Sequence, residues 1–147
     1  MQGQTGAQIR QAFVAAMQAA ASITGTVPAA RIYDGRMLAI QDDTEIPCIR
    51  VYVHQDNFDW SGDSQTPYFS GQVDLVVELY VTALTDAALE TSLDFADTIT
   101  NVCFSDVTLT RAQIARTTQS RTLGTQGDRR LGLAKSIWTI QVERLYP

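Results

Sequence analysis

The sequence predicts an α+β domain: a mainly antiparallel sheet with two helices packed on one face and a long β-hairpin. Three observations predict it. Residues 5–20 carry apolar side chains at helical spacing, residues 68–83 alternate between an apolar face and a mixed one, and the segments run helix, strands, helix, strands. At 147 residues, 45% hydrophobic and 18% charged, the chain has the size and balance of a single domain over 1–147. A net charge of -5 is too small, and the apolar fraction too high, for a disordered polymer.

Thr5 and Gln8 have the spacing of a capping box, in which a hydroxyl and an amide each satisfy a free backbone N–H, so a helix should begin there. Ile9, Phe13, Ala16, Met17 and Ala20 form its apolar stripe until Gly25 and Pro28 end the pattern. Ala29–Tyr33 reads as a short strand, Asp34-Gly35 as a turn and residues 36–45 as a loop. Ile46–Val53 reads as a strand with Ile49, Val51 and Val53 on one face and Cys48, Arg50 and Tyr52 on the other. Residues 54–67 turn polar, too poor in apolar side chains to anchor in a core, and predict a long exposed loop of the kind that usually serves a function.

Tyr68–Ala83 is the strongest strand, with Val73, Leu75, Val77, Leu79 and Val81 facing a core and Asp74, Val76, Glu78, Tyr80 and Thr82 facing away. Thr85 can cap a second helix, with Asp86 and Glu90 near the positive end of its dipole and Leu89, Leu93, Ala96, Ile99 and Cys103 as its buried stripe. Thr108–Leu123, turn chemistry at Gly124–Asp128 and Leu131–Tyr146 make the long hairpin.

Little in the chain points to a reaction. His54 is the only imidazole and no Gly-x-Ser-x-Gly turn accompanies it, so a nucleophile–base pair is not expected. Gly124-Thr125-Gln126-Gly127 lacks the Lys and hydroxyl that a phosphate loop places on its ligand. Asp56, Asp59 and Asp63 lack the central Gly and closing Glu of a calcium loop and read as solvated charge. Cys48 and Cys103 sit in apolar runs and read as buried thiols, and no metal or cofactor is expected. The apolar stretch from Ala12 to Ala21 falls short of a membrane span and lacks the basic lead of a secretory signal, which points to assembly in a cytoplasm.

Charge is distributed unevenly. Residues 1–110 hold four basic and fourteen acidic side chains, whereas residues 111–147 hold seven basic and two acidic. Arg111, Arg116, Arg121, Arg129 and Arg130 gather on the expected hairpin, with Lys135 beside them. One reading is a nucleic-acid-binding module, but the acidic pI near 4.6 and the lack of an aromatic residue between Arg111 and Arg130 count against it. A second is plain solvated arginine. The third uses both halves of the chain: the basic hairpin of one copy meets an acidic surface of the next, a head-to-tail contact that closes into a ring where the rotation allows.

The order "VPAARIYDGR", "IPCIRVYV", a polar stretch, "YFSGQVDLVVELYVTA", a helix and "IWTIQVERLY" resembles the tail terminators of long-tailed bacteriophages, the minor tail protein U type, over nearly the whole chain. That resemblance implies a virion protein that forms a homo-oligomeric ring, commonly a hexamer, on the end of the tail tube. Such a ring ends tube polymerisation and offers the surface to which the filled head attaches. Its partners would be the tail tube protein and a head-completion or neck protein, with DNA passing through the channel without specific binding and no membrane involved. No catalytic residue comes with the resemblance. The candidate interface residues are Arg111, Arg116, Arg121, Arg129 and Arg130 on the hairpin, together with the polar stretch. Within that stretch, Asp56, Asp59 and Asp63 are expected to line a channel or meet the tube, and Phe58 and Trp60 to act as anchors. A head-side neck or closure protein is the alternative within the virion.

Overall fold

A computed structural model describes residues 4–36, 40, 43–61 and 68–145. The capping box forms as expected: the Thr5 N–H donates to Gln8 Oε1 at 2.8 Å and the Gln8 N–H donates to Thr5 Oγ1 at 3.2 Å, opening α1 (Gly6–Ala19). The helix stops earlier than the apolar stripe suggests. Ala20 is extended and a separate turn, α2 (Ala21–Thr24), follows. That break redirects the chain so that Ile23 and Val27 enter the core, which a continued helix ending at Gly25 would not require. Ala29–Arg31 is a 3₁₀ turn, not strand, and β1 is only Ile32–Asp34. Pro28 sets this up, since its carbonyl accepts from the Arg31 N–H at 2.8 Å. Gly35 then turns the chain at φ +75, with the Arg10 guanidinium 3.1 Å from where a Cβ would stand.

Four long strands build most of the sheet: β2 (Cys48–Ser61), β3 (Tyr68–Ala83), β4 (Ala112–Gln126) and β5 (Arg129–Leu145). Their order is β1-β2-β3-β5-β4, with β1 parallel to β2 and every other pair antiparallel. The expectation of a loop over 54–67 is overturned for residues 54–61, which continue β2. After an irregularity at His54, Gln55 pairs with Asp74 and the register runs on to Ser61 opposite Tyr68. Residues 54–57 are exposed, and the backbone of the segment is ordered by its ladder to β3. Residues 62–67, Asp63 among them, lie outside the described residues, as do 37–39 and 41–42 of the expected 36–45 loop; Asp43–Glu45 of that loop form a 3₁₀ turn.

Thr85 caps α3 (Asp86–Asp106) by accepting the Ala88 N–H, and Leu89, Leu93, Ile99 and Cys103 are buried as the spacing predicts. Gly127-Asp128 closes the β4–β5 hairpin, with Gly127 at φ +59, a conformation that favours glycine in a two-residue turn. All helices lie on one face of the sheet. There Val73, Leu75, Val77 and Leu79 of β3 and Trp138, Ile140 and Val142 of β5 meet Ile9, Phe13 and Met17 of α1 and the stripe of α3. Trp138 is fully buried at the centre, its ring edge-on to Phe13 at 5.3 Å. Trp138→Ala should therefore cost about 3–5 kcal/mol of stability, read as a lowered midpoint of urea unfolding with little change in slope.

Candidate functional site

The sheet face opposite the helices divides into two zones. Near β1 it holds a buried polar cluster built from alternate residues of β2 and β3. Glu78 Oε2 accepts from Arg50 Nε at 2.9 Å and Nη2 at 2.8 Å and from the Tyr80 hydroxyl at 2.6 Å; Glu78 Oε1 accepts from the Tyr52 hydroxyl at 2.7 Å. Arg50 also lies 4.9 Å from the Tyr52 ring centre and 5.8 Å from that of Tyr80, so the tyrosines shield the ion pair as well as bind it. Burial pulls the Glu78 carboxyl upward, yet the hydrogen bonds from Tyr80, Tyr52 and Arg50 and the charge of Arg50 outweigh it and hold the carboxyl below its ordinary 4.5. Burial and the bond to Glu78 push the Tyr52 hydroxyl up to about 12. At the rim, Arg36 donates to Glu45 at 2.9 Å, and Cys48 is pushed up to about 11, mainly by burial. Cys103, on the helix side, is raised to about 12 by burial, so both cysteines are held as thiols and neither is activated as a nucleophile.

Beyond this cluster the face is polar and open. The register aligns Asn57, Gln72, Gln141 and Gln113 in one row across β2, β3, β5 and β4. These four amides, with Arg111 and Glu143, line a shallow depression of about 760 Å³. From here the β2–β3 ladder continues to Ser61 opposite Tyr68 as an arm of the sheet. Its base is held by the start of α1, where a Cβ on Gly6 would stand 3.4 Å from Val53 and 3.6 Å from Asp56 Oδ2.

The hairpin arginines are less free than the sequence suggests. Arg121 pairs with Asp94 of α3 at 2.8 Å, Arg130 with Asp86 at the first turn of α3, and Arg111 lies 3.6 Å from Glu143. Arg130 also donates to the Leu84 carbonyl at 2.7 Å. Part of the charge asymmetry between the two halves of the chain is thus closed within one molecule. Arg116 and Arg129 are exposed, with no ion pair to another described residue. Arg111 has a positive φ of 50 at the entry to β4, where its carbonyl accepts from the Glu143 N–H at 2.9 Å. Asp56 pairs with Val73, Phe58 with Gly71, Asp59 with Ser70 and Trp60 with Phe69, which sets these sequence-predicted residues on the outer strand of the arm, far along the sheet from Arg121 and Arg130. On the helix side, α3 and β4 leave a cleft of about 270 Å³ floored by Val77, Leu79, Ile99 and Ala134. Gln119 spans it to Thr100 at 2.6 Å.

Among the described residues no group of His, Cys, Asp and Glu is placed to hold a metal, and no helix is long and apolar enough to cross a membrane. No family model and no curated protein matches the chain. Among solved structures, a chain from the virion of a native gene transfer agent particle is similar, with a TM-score of 0.51 at 13% identity over 90% of this chain and 93% of that one. At that identity the likeness is one of fold.

The polar cluster generates a stability test. Glu78→Gln leaves Arg50 buried without its counter-charge and should cost about 3–5 kcal/mol at pH 7. Because the Glu78 carboxyl titrates lower in the folded protein than in the unfolded chain, its contribution is complete above pH 4.5 and fades as pH falls below it. The gap between wild type and variant in urea unfolding should therefore narrow on acidification to pH 3, and a gap that stays constant would count against the assigned role.

Proposed function

We propose that this protein is a structural subunit of a phage-like virion that forms a ring on the end of the tail tube, stops tube growth and presents the surface for head attachment. One observation carries the reading: β2 runs on through residues 54–61 as a strand paired to β3, and its residues 54–57 are exposed. Ordering so much backbone without burial is costly in a lone monomer and is repaid when neighbouring copies cover it. The fold likeness to a chain of a virion particle supports the same direction. So does the chemistry of the open face, where buried ionisable groups are mutually satisfied and amide side chains dominate the accessible part, a surface fit for contact and passage and ill-suited to bond-making.

Tube growth is the repeated addition of like rings. A terminating ring fits the last tube ring on one side and offers the next tube subunit a shape and charge it cannot accept on the other, so growth halts without any reaction. The nucleic-acid-binding reading loses support because Arg121 and Arg130 already hold carboxylates of α3 and would have to surrender them to phosphate.

Addition of the purified protein to polymerising tail-tube subunits tests the proposal. Electron microscopy should show tubes of limited length, with the protein at one end. Tubes that grow to the same length with and without it would contradict the proposal, and normal-length tubes that fail to join heads in a virion lacking it would point to a neck protein instead.

A further inference from the structure

The sheet has two long free edges, at its opposite sides. β4 pairs with β5 along one side, and no described strand lies along its other side over Ala112–Gln126. Among the described residues, β2 is covered on its outer side at Ile49–Val51, where β1 pairs, and at Gly35, whose N–H donates to the Val51 carbonyl at 2.7 Å. From Tyr52 to Ser61 its outer edge has no described strand beside it. Long free edges are templates for further pairing, and monomeric proteins blunt them with Pro, Lys or very short strands. Neither stretch contains a Pro or a Lys.

We infer that the ring is joined by edge pairing: β4 of one copy adds to the distal half of β2 of the next, so that the open faces become one continuous sheet around the channel. This rests on the ring reading and specifies its contact. Strand direction supports it. β2, β3, β5 and β4 alternate, so β4 runs opposite to β2; a copy rotated about an axis along the strands presents its β2 antiparallel to that β4, and the alternation continues unbroken. Charge supports it as well. Over 52–61 the only charged residues besides His54 are Asp56 and Asp59, and over 112–126 they are Arg116 and Arg121, of which Arg121 is already paired with Asp94. Each edge repels its own kind and attracts the other, which favours head-to-tail rings over symmetric pairs. Register sets Arg116, opposite Thr139, and Asp59, opposite Ser70, at positions of the face away from the helices, whereas Asp56, opposite Val73, belongs to the helix face; Arg116 is exposed. Pairing across Tyr52–Ser61 would supply about ten backbone hydrogen bonds, the number a standard protein interface carries.

The test compares assembly of charge-reversed variants by sedimentation velocity, alone and on tail tubes, with thermal melts by circular dichroism to verify folding. Arg116→Glu alone, or Asp59→Arg alone, should raise the concentration for half-assembly about tenfold or more while the melts stay close to wild type. Both substitutions in one chain should bring assembly back to within about threefold of wild type, because the two edges again carry opposite charge. Reversals that leave a wild-type ring intact, or that abolish it without recovery in the combined variant, overturn the edge pairing while the ring reading stands. A wild-type protein that associates neither with itself nor with tubes overturns both.

Discussion

The constraint on which the structure depends is the pairing of β3 along both of its sides. All sixteen residues from Tyr68 to Ala83 pair with β5, and the strand pairs with β2 from Tyr68 to Tyr80. Because side chains alternate along a strand, this one register decides which residues of three strands face the helices, and a slip of one would turn Leu75, Val77 and Leu79 outward. Val73 to Val81 of β3 supply the core beneath the helices, and the ladder continues beyond them to Tyr68. The arm continues that same register.

Electrostatics divides into two regimes. Around Glu78 the charges are removed from water, so the cluster is stable only when complete, and each hydroxyl and guanidinium has a defined geometric task. Around α3 the pairs Arg121–Asp94 and Arg130–Asp86 are partly exposed, where a salt bridge adds little stability and serves mainly to align the hairpin with the helix. What remains unpaired among the described hairpin arginines is concentrated in Arg116 and Arg129. The charge left for the proposed contact between copies is correspondingly smaller than the net charges of the two chain halves imply.

Much of the fold was legible in the sequence where one local rule acts alone. The Thr5–Gln8 box and the Thr85 cap declare helix starts, and the alternation of β3 declares both the strand and its core face. Residues 54–61 were not legible, because a strand held by its neighbour's ladder needs no apolar alternation and its polar composition mimics a loop. The 3₁₀ turn at Ala29–Arg31 and the break at Ala20 were hidden for a related reason: core entry of Ile23 and Val27 decides them, and local propensity does not. Of the site, the outward positions of Arg50, Tyr52, Glu78 and Tyr80 could be read from strand parity, but their meeting could not, since Arg50 and Glu78 are 28 residues apart. Asp94 and Asp86 likewise gave no sign that they would hold Arg121 and Arg130.

In the proposed assembly the molecule is a piece of sheet whose edges are completed by its own copies. Amide hydrogen exchange, followed by mass spectrometry on dispersed and assembled protein, tests that most directly. Peptides covering 52–61 and 112–126 should exchange quickly when the protein is dispersed and become protected together on assembly, while the central β3 peptides remain slow in both states. Assembly that leaves both edge segments exchanging as fast as before would contradict the account.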